Sequence, residues 1–212
     1  MPGGAGRRAR PGAGREARRA ALRPFRRHRD RTRPRRPDLR RAIPQAFLAL
    51  GSNIDPRRHL PLAATRLTAL GRLVAASRVY ASPAVGPPGQ PDFANAAVLL
   101  ATDLAAAELR RQLREIESDL GRVRAGDRYA PRPIDLDLIL YDDLVLDTPE
   151  LRLPDPDLLV RPYLAVTVAE LDPARRHPVT GETLGEIASR LRPGARLTPL
   201  PVILLPRDGV ER

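Results

Sequence analysis

Four short segments of the chain are apolar or alternate between apolar and polar residues, which is the pattern of β-strands. They are residues 46–53, 72–82, 94–102 and 134–143, and each ends in polar or turn-forming residues. Between them, apolar residues recur at every third or fourth position from Pro56 to Gly71 and from Asp103, a predicted N-cap, to Gly121. This spacing predicts two amphipathic helices.

The resulting order, β-α-β-β-α-β, is that of the split βαβ or ferredoxin-like fold. We therefore expect an α+β domain in which an antiparallel sheet carries both helices on one face. Two further short helices are expected near the C-terminus, one within residues 151–173 and one at 183–191. The domain is expected to span residues 46–206 and to be followed by a C-terminal tail at 207–212.

Residues 1–45 form a separate segment that is rich in Arg, Pro and Gly and poor in large apolar residues. Such a composition cannot bury enough apolar surface to offset the entropy of ordering, so we expect a disordered tail. The tail holds 16 Arg and three acidic residues, a net charge of +13, whereas the whole chain carries +12 and the remainder −1. Any non-specific binding of polyanions is therefore expected of the tail alone.

Deletion of residues 1–45 should leave folding and activity nearly unchanged, because the segment has no periodic apolar face to dock on the domain. The same deletion should remove salt-sensitive retention on a polyanionic matrix, since that binding depends on charge alone. Melting temperature and salt elution of the two chains measure both effects. An insoluble truncated chain, or one that melts several degrees lower, would show that the tail packs on the domain.

The residue composition excludes several classes of protein. The chain has no Cys, which excludes disulfides and thiolate sites for metals or catalysis. No apolar run approaches the ~18 residues of a membrane-spanning helix, and no apolar segment follows the basic N-terminus as it does in a secretory signal. We expect a cytoplasmic monomer without membrane contact.

Asp135 and Asp137 interrupt an otherwise apolar strand. Residues two apart on a strand lie on the same face, so both carboxylates point one way while Ile134, Leu136 and Leu138 point into the core. Neighbouring carboxylates repel each other unless a cation lies between them, and such hard oxygen ligands suit Mg²⁺. The polar face of an ordinary sheet gives the same alternation, so this pair alone does not distinguish a metal site from solvated surface.

Four arginines precede the two acids in the sequence: Arg122, Arg124, Arg128 and Arg132. Guanidinium groups beside a carboxylate-bound metal neutralise charge on phosphate oxygens, which is what phosphoryl transfer requires. Gly and Ala residues between these arginines would allow the loop to close over a ligand. The chain has no P-loop, kinase Gly-rich loop or zinc pattern, so a nucleotide would be held by this loop and the metal.

The segment "RYAPRPIDLDLI", residues 128–139, resembles the signature of the 6-hydroxymethyl-7,8-dihydropterin pyrophosphokinase family. Three further motifs of that family occur in order: "ALGSN" at the first strand, "SPAVGPPGQPDFANAAV" after the second, and "GRVR" before the signature. The resemblance covers about residues 46–175. It implies transfer of pyrophosphate from ATP, the co-substrate, to the hydroxymethyl group of the pterin in folate synthesis. It also implies two Mg²⁺ ions, held by Asp135 and Asp137.

The resemblance also implies roles for individual residues. Arg122 and Arg132 match the catalytic loop arginines that act on the ATP phosphates. The implied ATP site further contains Glu117, Arg124, Arg128, Tyr129, Leu138 and Arg161, and the implied pterin site contains Ser82, Pro83, Val85, Phe93, Asn95 and Tyr163. A flat heteroaromatic ring needs aromatic stacking faces and a polar group at its edge, and Phe93 and Tyr163 are two of only seven aromatic residues in the chain.

The chain departs from the family pattern at Asp155, where the family usually has a His on the nucleotide side. An acid near ATP phosphates is unfavourable unless it is turned away or takes up a metal-bound water. Two alternatives to the enzyme therefore stand: a weakly active paralogue that acts as a partner protein, and a ferredoxin-like nucleic-acid-binding module with a basic arm. The module would need aromatic residues on its central strands for base stacking, and the predicted strands offer almost none.

Overall fold

The computed structural model describes residues 42–84, 89–123 and 130–204. Its elements are β1 (Gln45–Ser52), α1 (Pro56–Leu67), β2 (Arg72–Ala76), β3 (Val79–Ser82), β4 (Phe93–Ala101), α2 (Ala106–Asp119), β5 (Asp135–Tyr141), β6 (Leu146–Asp147), β7 (Arg152–Leu153), α3 (Pro162–Ala169), α4 (Leu184–Leu191) and β8 (Thr198–Leu200). The predicted α+β class and the two C-terminal helices are confirmed. The predicted tails, 1–45 and 207–212, lie outside the described residues except at 42–45, and they stay predictions.

The main sheet is antiparallel and has the strand order β5-β1-β4-β3-β8, with β2 also paired to β4. The first and last strands of the predicted core, β1 and β5, are therefore neighbours, as the split βαβ arrangement requires. The predicted second strand divides into β2 and β3 at Ser77 and Arg78. At the division, the Ser77 hydroxyl accepts a hydrogen bond from the Ala97 N–H at 2.8 Å and so replaces a backbone partner.

Helices cover both faces of the sheet. Helices α1 and α2 pack with Leu48, Val98 and Leu136 on one face, while α3 and α4 pack with Phe47 and Leu99 on the other. The predicted placement of the two core helices on one face is confirmed. The short C-terminal helices α3 and α4 cover the opposite face. The N-terminus of α3 lies near the end of the sheet where β5 begins. No helix in the described ranges has the length and apolar content of a bilayer span.

The predicted N-cap of α2 is wrong. The helix begins at Ala106, and its cap position is Ala105, which has no side-chain capping bond. Thr102 still belongs to the end of the sheet, because its N–H donates to the Pro44 carbonyl at 3.0 Å. Its hydroxyl accepts from the Leu104 N–H at 3.2 Å, so a side chain of the strand end bonds to the backbone ahead of the helix.

His177 is a buried histidine, 3% exposed, in the turn that leads to α4. Its Nδ1 accepts hydrogen bonds from the N–H groups of Thr180 at 3.1 Å and Val179 at 3.3 Å. Burial lowers the pKa of His177 below its usual value. Protonation would both place a charge in this dehydrated position and remove the acceptor for the two N–H groups.

Stability should therefore fall as the pH drops below about 6.5, because the unfolded state then binds more protons than the folded state. The His177→Asn variant keeps an acceptor for the turn but cannot titrate, so its melting temperature should fall less between pH 8 and pH 5.5. The control variant His59→Asn retains His177 and should retain the dependence of the parent chain. Equal losses in the parent and His177→Asn would contradict this assignment.

Candidate active site

Strand β5 presents Asp135 and Asp137 on the sheet face opposite α1 and α2, as the alternation predicted. The alternate residue Leu136 is fully buried on the other side. In β1, Gly51 lies opposite Asp135 and Ala49 lies opposite Asp137. Because these two β1 residues have small side chains or none, they leave space above the sheet beside the acids. They form part of the floor of a cleft of about 300 Å³.

Most of the predicted site residues that the structure describes come together around this cleft. Those that line it are Ser82, Pro83, Phe93, Asn95, Arg132, Asp135, Asp137, Arg161 and Tyr163. A second cavity, of about 750 Å³, shares Asp137 and Asp157 with the first and is lined in part by Leu138. Val85, Arg124, Arg128 and Tyr129 lie outside the described residues, so their predicted roles stay predictions.

Asp135 is held by two arginines. Its Oδ1 accepts from Arg122 Nη1, and its Oδ2 accepts from Arg132 Nη1 at 2.7 Å. Burial would raise the pKa of Asp135, but the charges and hydrogen bonds of Arg122 and Arg132 outweigh burial and hold the pKa below its usual value. Asp135 is therefore a carboxylate at neutral pH, and it fixes two guanidinium groups, of which Arg132 lines the cleft and Arg122 lines neither cavity.

Glu117 lies beneath this arrangement and is only 1% exposed. Its Oε1 accepts from Arg122 Nη1 and from the Leu136 N–H at 2.8 Å. Glu117 is not among the residues that line the two cavities. The geometry therefore favours an indirect role, in which Glu117 holds Arg122 and the start of β5 in place.

Asp137 lines both cavities, and 43% of its side chain is exposed. Burial, then the neighbouring Asp135, raises the pKa of Asp137 to about 7, while Arg110 acts against this rise. Arg110 Nη2 lies 3.4 Å from Asp137 Oδ1. Asp137 therefore has less compensating positive charge than Asp135, and a cation bound between the two acids would supply it.

The cleft also carries two aromatic residues. The Arg132 guanidinium lies 5.8 Å from the centre of the Phe93 ring, and Tyr163 contributes to the cleft from α3. The Asn95 side-chain nitrogen donates to Ser82 Oγ at 3.0 Å and to the Phe93 carbonyl at 3.2 Å. This leaves the Asn95 amide oxygen as the group to present to a ligand edge. The arrangement suits a planar polar ring beside a charged group.

Two residues that sequence reasoning did not assign also shape the site. Asn53 Oδ1 accepts from the Arg132 N–H at 2.7 Å, and the Asn53 N–H donates to the Arg132 carbonyl at 3.2 Å. Asn53 thus fixes the backbone of the loop that carries Arg132. Arg110, which faces Asp137, belongs to an Arg-rich helical stretch that resembles a solvated face, so its role had no sequence signal. For Asn53, the signal was the motif "ALGSN", which was interpreted as a turn.

Asp155 is directed at its own backbone. Its Oδ1 accepts from the Asp157 N–H at 2.8 Å and caps the 3₁₀ turn Pro156–Leu159. Burial raises the pKa of Asp155, and the residue lines the second cavity. A structural capping role accounts for an acid at this position, which was the departure that motivated the weakly active alternative.

Comparison with known proteins identifies close relatives. A family model described as 7,8-dihydro-6-hydroxymethylpterin-pyrophosphokinase (HPPK) matches residues 47–173. The chain is 38% identical over 139 residues to 2-amino-4-hydroxy-6-hydroxymethyldihydropteridine pyrophosphokinase of Pseudomonas aeruginosa. The matched region covers 64% of this chain and 85% of that protein. The chain is 36% identical over 149 residues to the protein of the same name from Synechocystis sp., which covers 69% and 75% respectively.

Solved structures share the fold. The structure described as Plasmodium falciparum HPPK-DHPS wild type with pterin and p-hydroxybenzoate matches with a TM-score of 0.53 at 13% identity, over 69% of this chain and 41% of that chain. A second Plasmodium falciparum HPPK-DHPS structure, with pterin and p-hydrobenzoate, matches with a TM-score of 0.52 at 14% identity, over 69% and 44%. The chain thus spans less than half of those longer chains, and at this identity the likeness concerns the fold.

Proposed function

Because the chain belongs to the 7,8-dihydro-6-hydroxymethylpterin-pyrophosphokinase family, we propose that its 300 Å³ cleft binds the pterin and that the second cavity binds part of ATP. The protein transfers the pyrophosphoryl group of ATP to hydroxymethyldihydropterin in folate synthesis. The observation that carries the proposal is the position of Asp137, which lines both cavities, next to the arginine-bound Asp135. The two substrates would therefore meet at the carboxylate pair.

In the proposed reaction, the hydroxymethyl oxygen of the pterin forms a bond to the β-phosphorus of ATP. The bond from that phosphorus to the oxygen bridging the α-phosphate breaks, AMP leaves with this oxygen, and the hydroxyl proton is released. Charge on the transferring phosphate oxygens must be neutralised, which favours fixed guanidinium groups. Asp135 holds Arg132 at the cleft for this purpose and also binds Arg122, which Glu117 positions from below.

Asp135 and Asp137 are the residues that would hold Mg²⁺. The donor chemistry fits, because both are hard oxygen ligands on one face of a rigid strand, and burial and Asp135 raise the pKa of Asp137 to about 7. Within the described ranges, no third acid or His joins them in a metal-binding group. Mg²⁺ commonly uses one or two carboxylates and completes its shell with water and phosphate oxygens. Bound there, it would supply charge neutralisation to the transferring phosphates.

On the pterin side, Phe93 and Tyr163 provide aromatic surfaces for the ring, and Ser82 and Asn95 provide polar groups for its edge. The bonds from the Asn95 amide to Ser82 and to the Phe93 carbonyl fix the orientation of Asn95 before the ligand arrives. Such preorganisation reduces the cost of ordering side chains on binding. On the nucleotide side, Leu138 lines the second cavity and offers an apolar contact, whereas Arg161 lines the 300 Å³ cleft, from which its guanidinium would have to reach the nucleotide.

The protein should form AMP, and not ADP, from ATP in the presence of 6-hydroxymethyl-7,8-dihydropterin and Mg²⁺. AMP is the expected product because the bond broken lies between the β-phosphorus and the oxygen bridging to the α-phosphate. A coupled assay for AMP, run beside a parallel assay for ADP, measures this directly. Removal of Mg²⁺ with a chelator should abolish turnover, and readdition should restore it.

Reactions that lack the pterin serve as the control for background hydrolysis. ADP as the sole product would contradict pyrophosphoryl transfer, and the absence of either product would contradict the proposed activity as a whole. Full turnover in the presence of the chelator would instead refute only the Mg²⁺ assignment.

A further inference from the structure

Glu170 is an acid outside the cleft whose carboxylate is bound from several directions. It occupies the C-terminal cap position of α3. Its Oε2 accepts from the Arg78 N–H at 2.9 Å, and its Oε1 accepts from Arg78 Nη2 at 2.6 Å and from the Tyr80 hydroxyl. The Arg78 guanidinium also lies 5.4 Å from the centre of the Tyr80 ring. These bonds join the end of α3 to β3 and to the residue that precedes it.

The helix alone does not favour an acid at this position. A carboxylate at a helix C-terminus is opposed by the helix dipole, so its partners must offset that cost. Burial would raise the pKa of Glu170, but the hydrogen bonds from Arg78 and Tyr80 hold the pKa below its usual value. Tyr80 is fully buried, and a buried phenol requires a hydrogen-bond partner. Glu170 meets that requirement.

Both ends of this connection lead to the cleft. Tyr163 lies at the N-terminal end of α3, at the opposite end of the helix from Glu170, and it lines the cleft. From Tyr80, β3 continues to Ser82, which also lines the cleft. In the adjacent strand Asn95 lies opposite Tyr80, and its amide donates to the Tyr80 carbonyl at 3.4 Å.

Among the described residues, α3 also packs against the sheet through apolar side chains, which include Leu164. Ala165, Val168 and Ala169 pack in the cluster that contains Phe47 and Leu99. Apolar contacts are not directional, so they define the position of the helix along its axis less narrowly than hydrogen bonds do. Hydrogen bonds prefer a narrow range of distance and angle. The hydrogen bonds from Arg78 and Tyr80 to the C-terminal end of α3 are all accepted by Glu170.

We propose that Glu170 is a positioning residue that fixes α3 against β3 and thereby sets the distance between Tyr163 and the wall formed by Ser82 and Asn95. Arg78 and Tyr80 are its partners in this role. The inference rests on the proposed function insofar as it takes this cleft as the pterin site. It predicts that loss of the connection weakens pterin binding without altering the chemical groups in the cleft.

The test compares Tyr80→Phe with Tyr141→Phe. Each variant removes one phenol hydroxyl, but the Tyr141 hydroxyl donates to the Leu104 carbonyl at 2.7 Å, on the side of the sheet that packs with α2. Tyr80→Phe should raise KM for the pterin about tenfold, because small displacements in a binding site have effects of this order or more. The KM for ATP and kcat should stay within about twofold, as expected when only ground-state binding of one substrate changes. Tyr141→Phe should change none of them.

Variants of Glu170 and hydrogen exchange complete the test. Glu170→Ala should reproduce the rise in pterin KM, whereas Glu170→Gln keeps the acceptor oxygen and should restore most of the affinity. Amide hydrogen exchange in residues 164–169 should be faster in Tyr80→Phe than in Tyr141→Phe, which reports the position of α3 without reference to activity.

Each outcome decides between specific possibilities. If Tyr80→Phe lowers the fraction of folded, active enzyme but leaves the pterin KM unchanged, the role of Glu170 is merely structural and the proposal is overturned. Equal pterin KM values in Tyr80→Phe and Tyr141→Phe would overturn it as well. Faster exchange in α3 without a change in KM would show that the connection holds the helix but does not set the cleft. If the parent chain forms no AMP, the proposed function is wrong, and unchanged exchange in Tyr80→Phe would then separately overturn the positioning role.

Discussion

Asp137→Ala is expected to lower kcat/KM by about 10³-fold in the presence of Mg²⁺, because the ion would lose one of its two protein ligands at the transferring phosphates. The free energy of unfolding should stay unchanged or rise. Asp137 lies beside Asp135, which raises its pKa, and Arg110 at 3.4 Å is its ion-pair partner. Removal of this carboxylate therefore relieves repulsion while breaking a single long ion pair.

Asp135→Ala should behave differently, because Asp135 would be both a Mg²⁺ ligand and the partner of two arginines. Asp135 is bound by both Arg122 and Arg132, so its loss should lower stability together with activity. Asp137→Asn should match the rate loss of Asp137→Ala, since it removes the charge and keeps the shape. Asp143→Ala, which removes an 83% exposed acid just beyond the same strand, is the control and should retain the parent rate. Near-normal turnover by Asp137→Ala with Mg²⁺ would refute the metal assignment.

The orientation of these acids could be predicted from the sequence because it depends only on the period of a strand. Asp135 and Asp137 share a face whatever the rest of the chain does, and apolar neighbours such as Leu136 determine which face is buried. Local sequence patterns likewise predicted β1 and β4, and the helical spacing of apolar residues predicted both core helices. Which of the two acids has the closer positive partners was not predictable. It depends on Arg110, which lies in α2, and on Arg122, which lies just after α2.

The features that were missed depend on distant contacts. The alternation of residues 72–82 continues through Ser77 and Arg78, so a single strand was the natural prediction. The division into β2 and β3 is stabilised by Ala97, which bonds Ser77, and by Glu170, which is 92 residues from Arg78. Strand β8 and the β6–β7 hairpin consist of two or three residues each. Such short strands have too few positions to show a period.

Glu117→Ala is expected to lower the free energy of unfolding by about 3 kcal/mol, the lower end of the range for removing one partner of a buried ion pair. Glu117 is 1% exposed, and its partner Arg122 is only 13% exposed. The substitution would leave the Arg122 guanidinium with less negative charge in a dehydrated position. It would also take from the Leu136 N–H an acceptor at 2.8 Å. Chemical denaturation monitored by circular dichroism measures the change.

Two further variants separate charge from hydrogen bonding at Glu117. Glu117→Gln keeps an acceptor for Leu136 but not the charge, so its loss of stability should lie between those of the parent and Glu117→Ala. Glu115→Ala removes an acid from the exposed face of the same helix, where its partner is Arg111, and should have little effect. If Glu117→Ala unfolds at the denaturant concentration of the parent, Glu117 does not support the site from below. Its position beneath Arg122 would then have to be explained by direct action on the nucleotide, as the family resemblance implied.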